Sequence, residues 1–230
     1  MTNVKRSAFS DFVRLMHLPL PLCVLAFATI GAALSETVFL DRLLLTYLGI
    51  LLALCLGAYS LDELRGRPLH TRFRDTTLRC LAVAGISGGA LVAIYLSWTV
   101  SIGIGILAIV AAFFILAYNL ELFGGRFHNV GWFGVSWGGL TTFSGYYIQS
   151  PTITFQPLLA SLMAAFLGVS IVLLTHRFRP QQLSKKLCTV PNSGLIEFSR
   201  YARKAVWTVV QLECCAMIAL AIGLIIPKLI

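Results

Sequence analysis

AYSLDELRGRP, residues 58–68, closes an apolar run and opens a basic loop. Asp62 and Glu63 stand where the hydrophobic stretch stops, with Arg65 and Arg67 beside them. On a continuing helix Tyr59, Asp62, Arg65 and Gly66 share one face, and Glu63 and Arg67 share another. Two chemistries fit this pattern. Asp62–Arg65 and Glu63–Arg67 would be interfacial ion pairs ending a helix before Pro68, each worth roughly 0.3 kcal/mol. Alternatively, a carboxylate at a cavity mouth would hold Mg2+ against a diphosphate.

The run before this stretch is one of many. The 230 residues are 58% hydrophobic and 12% charged, too little polar surface for a soluble domain of that size. Seven apolar spans recur, at about 18–34, 43–61, 81–98, 100–120, 130–148, 155–174 and 205–227. Each can cross about 30 Å of hydrocarbon as a helix. The expected fold is all-α, a polytopic membrane bundle of about seven transmembrane helices in one domain, 1–230. The first run reads as a retained helix, because no small-residue cleavage site is followed by a polar region. A tight turn near Thr99 makes spans three and four an antiparallel hairpin. Glycines at 85, 88, 89, 103, 105, 138 and 139 suit close helix approach.

Lysine and arginine placement sets the expected orientation. Sixteen of the 18 flank one side of the spans; Arg42 and Lys228 fall on the other. The positive-inside rule then puts the N-terminus in the cytosol and the C-terminus outside. The cytosolic loops would be about 62–80, 121–129 and 175–204. Any chemistry belongs on that side, because the outside connections are short and nearly uncharged. The net charge of +9 borders the spans and forms no continuous basic face, so it speaks for anionic lipid and against nucleic acid.

Other polar residues complete the candidate set. Glu213, beside Gln211 inside the last span, is an ionisable group at membrane depth and so a candidate substrate contact or proton-handling group; otherwise it is a helix-packing hydrogen bond. Tyr59, Tyr118 and Asn119 sit at neighbouring span ends and would line one cavity, or belong to the aromatic belt. The six cysteines read as small packing residues, with no CxxC pair. The four histidines show no metal spacing. There is no nucleotide-binding glycine loop or serine-nucleophile motif, and no nucleotide or haem is expected.

Span two, its carboxylate-bearing end, the basic loop and the hairpin together resemble the UbiA superfamily of intramembrane prenyltransferases. That family's first signature is Asn-Asp-x-x-Asp, followed four residues later by Asp or Gly. Laid on this chain it runs from Ala58 to Asp62 and then Gly66. Ala58 and Tyr59 replace the first two polar residues, and Asp62 keeps the carboxylate. FVRLMHLPLPLCVLAFATIGAAL resembles the family's first helix, and AYNLELFGGRFHNVGWFGVSWGGLTTFSGYY its fourth-helix end, loop and fifth helix. The second Asp-rich cluster is absent from THRFRPQQLSKKLCTVPNSG, where Gln181 and Gln182 fall near the expected aspartates.

The resemblance implies a prenyl diphosphate with its tail in the bundle and its head at the cytosolic mouth. Asp62 would be the catalytic carboxylate and, with Glu63, the metal-binding pair for Mg2+. Tyr59, Arg65, Arg67, Arg72, Arg74, Tyr118, Asn119, Lys185, Lys186 and Glu213 would contact substrate. The family usually has nine spans, so a homo-oligomer or helical partner would complete the bundle. A non-catalytic relative that binds an isoprenoid or other membrane lipid, or scaffolds a partner, is the competing reading. Surplus cations at the mouth suit direct arginine binding of an anionic head group. A transporter is weaker, with no inverted repeat in view.

Overall fold

In hydrocarbon every backbone N–H and C=O needs an internal partner, and a single segment satisfies both as a helix. All seven expected spans are helical in the computed structural model, which describes residues 8–16, 19–177 and 193–229. Helix α1 (Ala8–Met16) leads into α2 (Pro19–Ala33), α3 (Leu40–Gly66), α4 (Asp75–Thr99), α5 (Gly103–Asn119), α6 (130–149), α7 (Phe155–Arg177) and α8 (Ser193–Leu229). No strand occurs among the described residues. Among the described residues four segments are each long and apolar enough to cross a bilayer: α3, α4, Phe155–Leu174 of α7 and Trp207–Leu229 of α8. Leu20–Ala33 and α5 are apolar but shorter. The protein is an integral membrane helical bundle.

The helices overrun the hydropathy limits at the basic end. Helix α3 continues to Gly66, so Asp62 and Glu63 are helical, and its link to α4 narrows to residues 67–74. Helix α8 begins at Ser193 and has 37 residues, about 55 Å of helix. Charged turns can stay helical outside hydrocarbon, and hydropathy does not register them.

Helix α2 is apolar all round and therefore buried, the expectation for a core helix. One side packs on α7 and α8 through Cys23, Phe27, Ile30, Ala164, Ile171, Val210 and Met217. Another side crosses α6 at Gly31 and Gly145. A Cβ at Gly31 would collide with Thr142 O, and one at Gly145 with Ala28 O, so these helices touch backbone to backbone. Helix α1 lies at the basic end. It exposes Phe9, Phe12 and Val13 and buries Asp11 and Leu15, an amphipathic arrangement suited to the membrane surface.

Two membrane helices change pitch. Residues Leu51–Ala58 of α3 and Gly134–Leu140 of α6 are π-helical. The first faces α4, where a Cβ on Gly85 would strike Gly57 N and Leu52 O. The wider turn and the small residues let α3 and α4 approach closely there, and the pitch change turns the following residues to new directions.

Candidate functional site

A cavity of about 450 Å³ lies between α3, α4, α5 and α6. Its walls include Ile50 and Leu54 of α3, Ile86 of α4, Ala108 and Ile115 of α5, and Trp137 and Leu140 of α6. Polar atoms come from few residues, among them Thr46, Ser136, Thr141 and Ser144. From Ile104 to Ile115 on α5 it runs about 16 Å. Leu96, Ile104 and Ile148 close the end away from the arginine-rich loop. At the basic end Val24, Leu54, Ala58 and Ile115 form a cluster on which Tyr59 and Trp137 pack. Tyr59 thus packs against residues that line the basic end of the cavity. Asp62, one turn further along α3, is exposed beyond it.

Glu63, expected beside Asp62 as a second metal ligand, faces the other way. Its side chain is fully buried. Oε2 accepts from Leu69 N at 2.9 Å, and Oε1 accepts from Thr71 N at 2.7 Å and Thr71 Oγ1 at 2.8 Å. Adjacent helical residues point about 100° apart, so one of two neighbouring carboxylates turns to the loop and the other outward. The Glu63–Arg67 pairing is replaced. Arg67, at φ 50, ends α3 in the left-handed region and closes the loop, donating to Phe73 O at 2.6 Å and pairing with Asp75. Nor does Arg65 turn to Asp62: it pairs with Glu121 at 2.6 Å and donates to Leu120 O, tying α3 to the end of α5.

The remaining candidates divide. Arg72 and Arg74 are exposed on the loop, and among the described residues neither guanidinium has a hydrogen-bond or ion-pair partner. Asn119 is buried and donates to Ile115 O at 2.7 Å, so it serves the end of α5. Tyr118 packs on His128 with ring centroids 4.4 Å apart, and His128 Nδ1–H donates to Tyr118 O at 2.8 Å. Phe127 wedges among Phe113, Phe114 and Trp132, holding the connection over the basic end. Lys185 and Lys186, like Gln181 and Gln182, lie outside the described residues. Glu213 does not line this cavity. It lies on the other side of the bundle, bonded to Ser170 of α7.

Asp11 is a carboxylate that the sequence reading passed over. It is 2% exposed, and Oδ2 accepts from Arg72 N at 3.3 Å. With Glu63 it clamps the basic loop from two sides. The only cue was its place on a short amphipathic stretch, where an acidic residue reads as a solvated one.

Among the described residues no three His, Cys, Asp or Glu side chains gather as a metal cage. Asp75 and Glu121 are paired to arginines and Glu63 is bonded to backbone. Asp62 is exposed at the end of α3. That fits a Mg2+ ion shared with substrate phosphates, the usual mode for this ion, and does not fit an all-protein cage.

No protein-family model matches the sequence, and no curated protein matches it either. Among solved structures the chain is similar to a UbiA homolog from Archaeoglobus fulgidus bound to Cd2+, with a TM-score of 0.60 and 13% identity. The match covers 94% of this chain and 99% of that one. The chain therefore has the helical membrane fold of a UbiA homolog.

Proposed function

We propose that the chain is a UbiA-like membrane prenyltransferase whose site faces the cytosol. The observation that carries this reading is the order of parts along α3. An apolar cavity about 16 Å long ends at a cluster on which Tyr59 packs, and Asp62 and the exposed Arg72 and Arg74 stand at the basic end. A prenyl tail fits the cavity, which excludes water from the reacting carbon. Arg72 and Arg74 bind the diphosphate oxygens through their planar forks. Asp62, together with those oxygens, would hold Mg2+, which would supply neutralising charge. The C1–O bond breaks with its electron pair leaving on the diphosphate. The acceptor forms the new bond to C1 and gives up a proton.

The Cd2+ in the homologous structure supports a metal role for this fold. The engagement of Glu63 favours the second reading, a non-catalytic isoprenoid binder. The test is diphosphate release from a panel of prenyl diphosphates, with Mg2+ and the purified chain in nanodiscs. Release is expected, and Asp62→Ala should reduce it at least about a hundredfold. Saturable binding of the tail without any release would establish the binder and end the catalytic reading.

A further inference from the structure

On the side of the bundle away from the cavity, α7 and α8 leave a lipid-facing groove of about 570 Å³. Leu159, Leu162, Met163 and Phe166 follow one face of α7 and are 46–66% exposed. The face continues to Ser170, about 16 Å from Leu159. There the groove meets Glu213, whose Oε1 accepts from Ser170 Oγ at 2.6 Å. Its Oε2 is buried and has no hydrogen-bond partner among the described residues.

We infer that this groove binds a long-chain lipid alcohol, its apolar chain along α7 and its hydroxyl donating to Glu213. A bare acceptor in an apolar surround calls for a donor, and an uncharged one enters at least cost. Among the described residues no Lys or Arg lines the groove, so an anionic phosphate head finds no counter-charge from them. Ser170 lies about 10 Å inside the basic end of α7, deeper than a phospholipid head group sits. A hydroxyl at that depth is costly in hydrocarbon unless it is hydrogen-bonded. Glu213 removes that penalty, which favours a single-chain alcohol over the bilayer lipids around it. The inference is independent of the prenyl-transfer reading.

The test uses the full chain in nanodiscs with three photoreactive probes: a prenyl alcohol, a saturated alcohol of equal length and the methyl ether of the prenyl alcohol. Either alcohol should label α7 and α8 near Ser170 and Glu213. The ether should bind about tenfold more weakly, the value of one hydrogen bond to a buried acceptor. Glu213→Gln keeps an acceptor oxygen and should bind like the parent, whereas Glu213→Leu should fall to the level of the ether. Leu162→Trp fills the groove with Glu213 intact and should also lose labelling, which covers a Glu213→Leu chain that misfolds. Preference for the prenyl alcohol names an isoprenoid ligand, and equal binding names long-chain alcohols in general; both support the site. Equal affinity for alcohols and ether, or labelling elsewhere, overturns it. Asp62→Ala should leave labelling unchanged, separating this site from the proposed reaction.

Discussion

Glu63 accepts three hydrogen bonds from residues 69 and 71 while Asp62, its neighbour in sequence, is exposed. Removing the Glu63 carboxylate strands the buried N–H of Thr71 and the half-buried N–H of Leu69, and a buried orphan costs about 1–3 kcal/mol. Glu63→Ala should therefore lower stability by roughly 3 kcal/mol, whereas Asp62→Ala should change it by less than about 0.5 kcal/mol. Thermal unfolding in detergent micelles reads both. If Asp62→Ala proved the costlier, the assignment of clamp and outward carboxylate would be reversed. The two residues were alike in sequence because both close an apolar run beside arginines. What separates them is the loop folding back on α3, a contact set by Arg67 at φ 50 and by Asp11 on a distant element. No spacing rule reports such a contact.

Helix positions were legible because hydrocarbon demands long uninterrupted apolar runs, and the Thr99 turn was legible because two such runs abut. The π-helical turns were not, since Leu51–Ala58 has the composition of any buried helix. The glycines carried partial information. They marked close approaches without saying which helices approach. Gly31 and Gly145 place α2 against α6, and a methyl group at either must push backbone away from backbone. Gly66, at the end of α3, has nothing within 4 Å of its added Cβ. Gly145→Ala should then destabilise by about 1–3 kcal/mol through overpacking. Gly66→Ala should be neutral or stabilise by up to about 1 kcal/mol. The difference between the two unfolding midpoints measures the α2–α6 crossing directly.

At the scale of the whole molecule, charge asymmetry and packing meet in the two basic residues that break the pattern. Arg42 lies over the Phe39 ring at 4.2 Å and donates to Gln149 O at 3.1 Å, at the C-terminal end of α6. Lys228 donates to Ser35 O at 2.8 Å, just past the end of α2. Both cations stand where helix ends present unpaired carbonyls, a place that favours positive charge on any side of a membrane. They are fixed by packing and carry little weight as orienting signals. The sixteen cations that the sequence order puts on the opposite side of the spans then carry the orientation prediction, and the end bearing Asp62 should face the cytosol. A cysteine-free chain with one reporter thiol tests this. Thr37→Cys lies exposed in the connection near Lys228, and Thr76→Cys lies exposed in the first turn of α4 at the basic end. In intact cells a membrane-impermeant maleimide should modify Thr37→Cys and reach Thr76→Cys only after permeabilisation. The reverse order would place the Asp62 mouth outside, and a soluble cytosolic acceptor could then not reach it. The same labelling repeated on Arg42→Ala should give an unchanged pattern with reduced stability, because Arg42 ties α3 to α6 and does not set the orientation of the bundle.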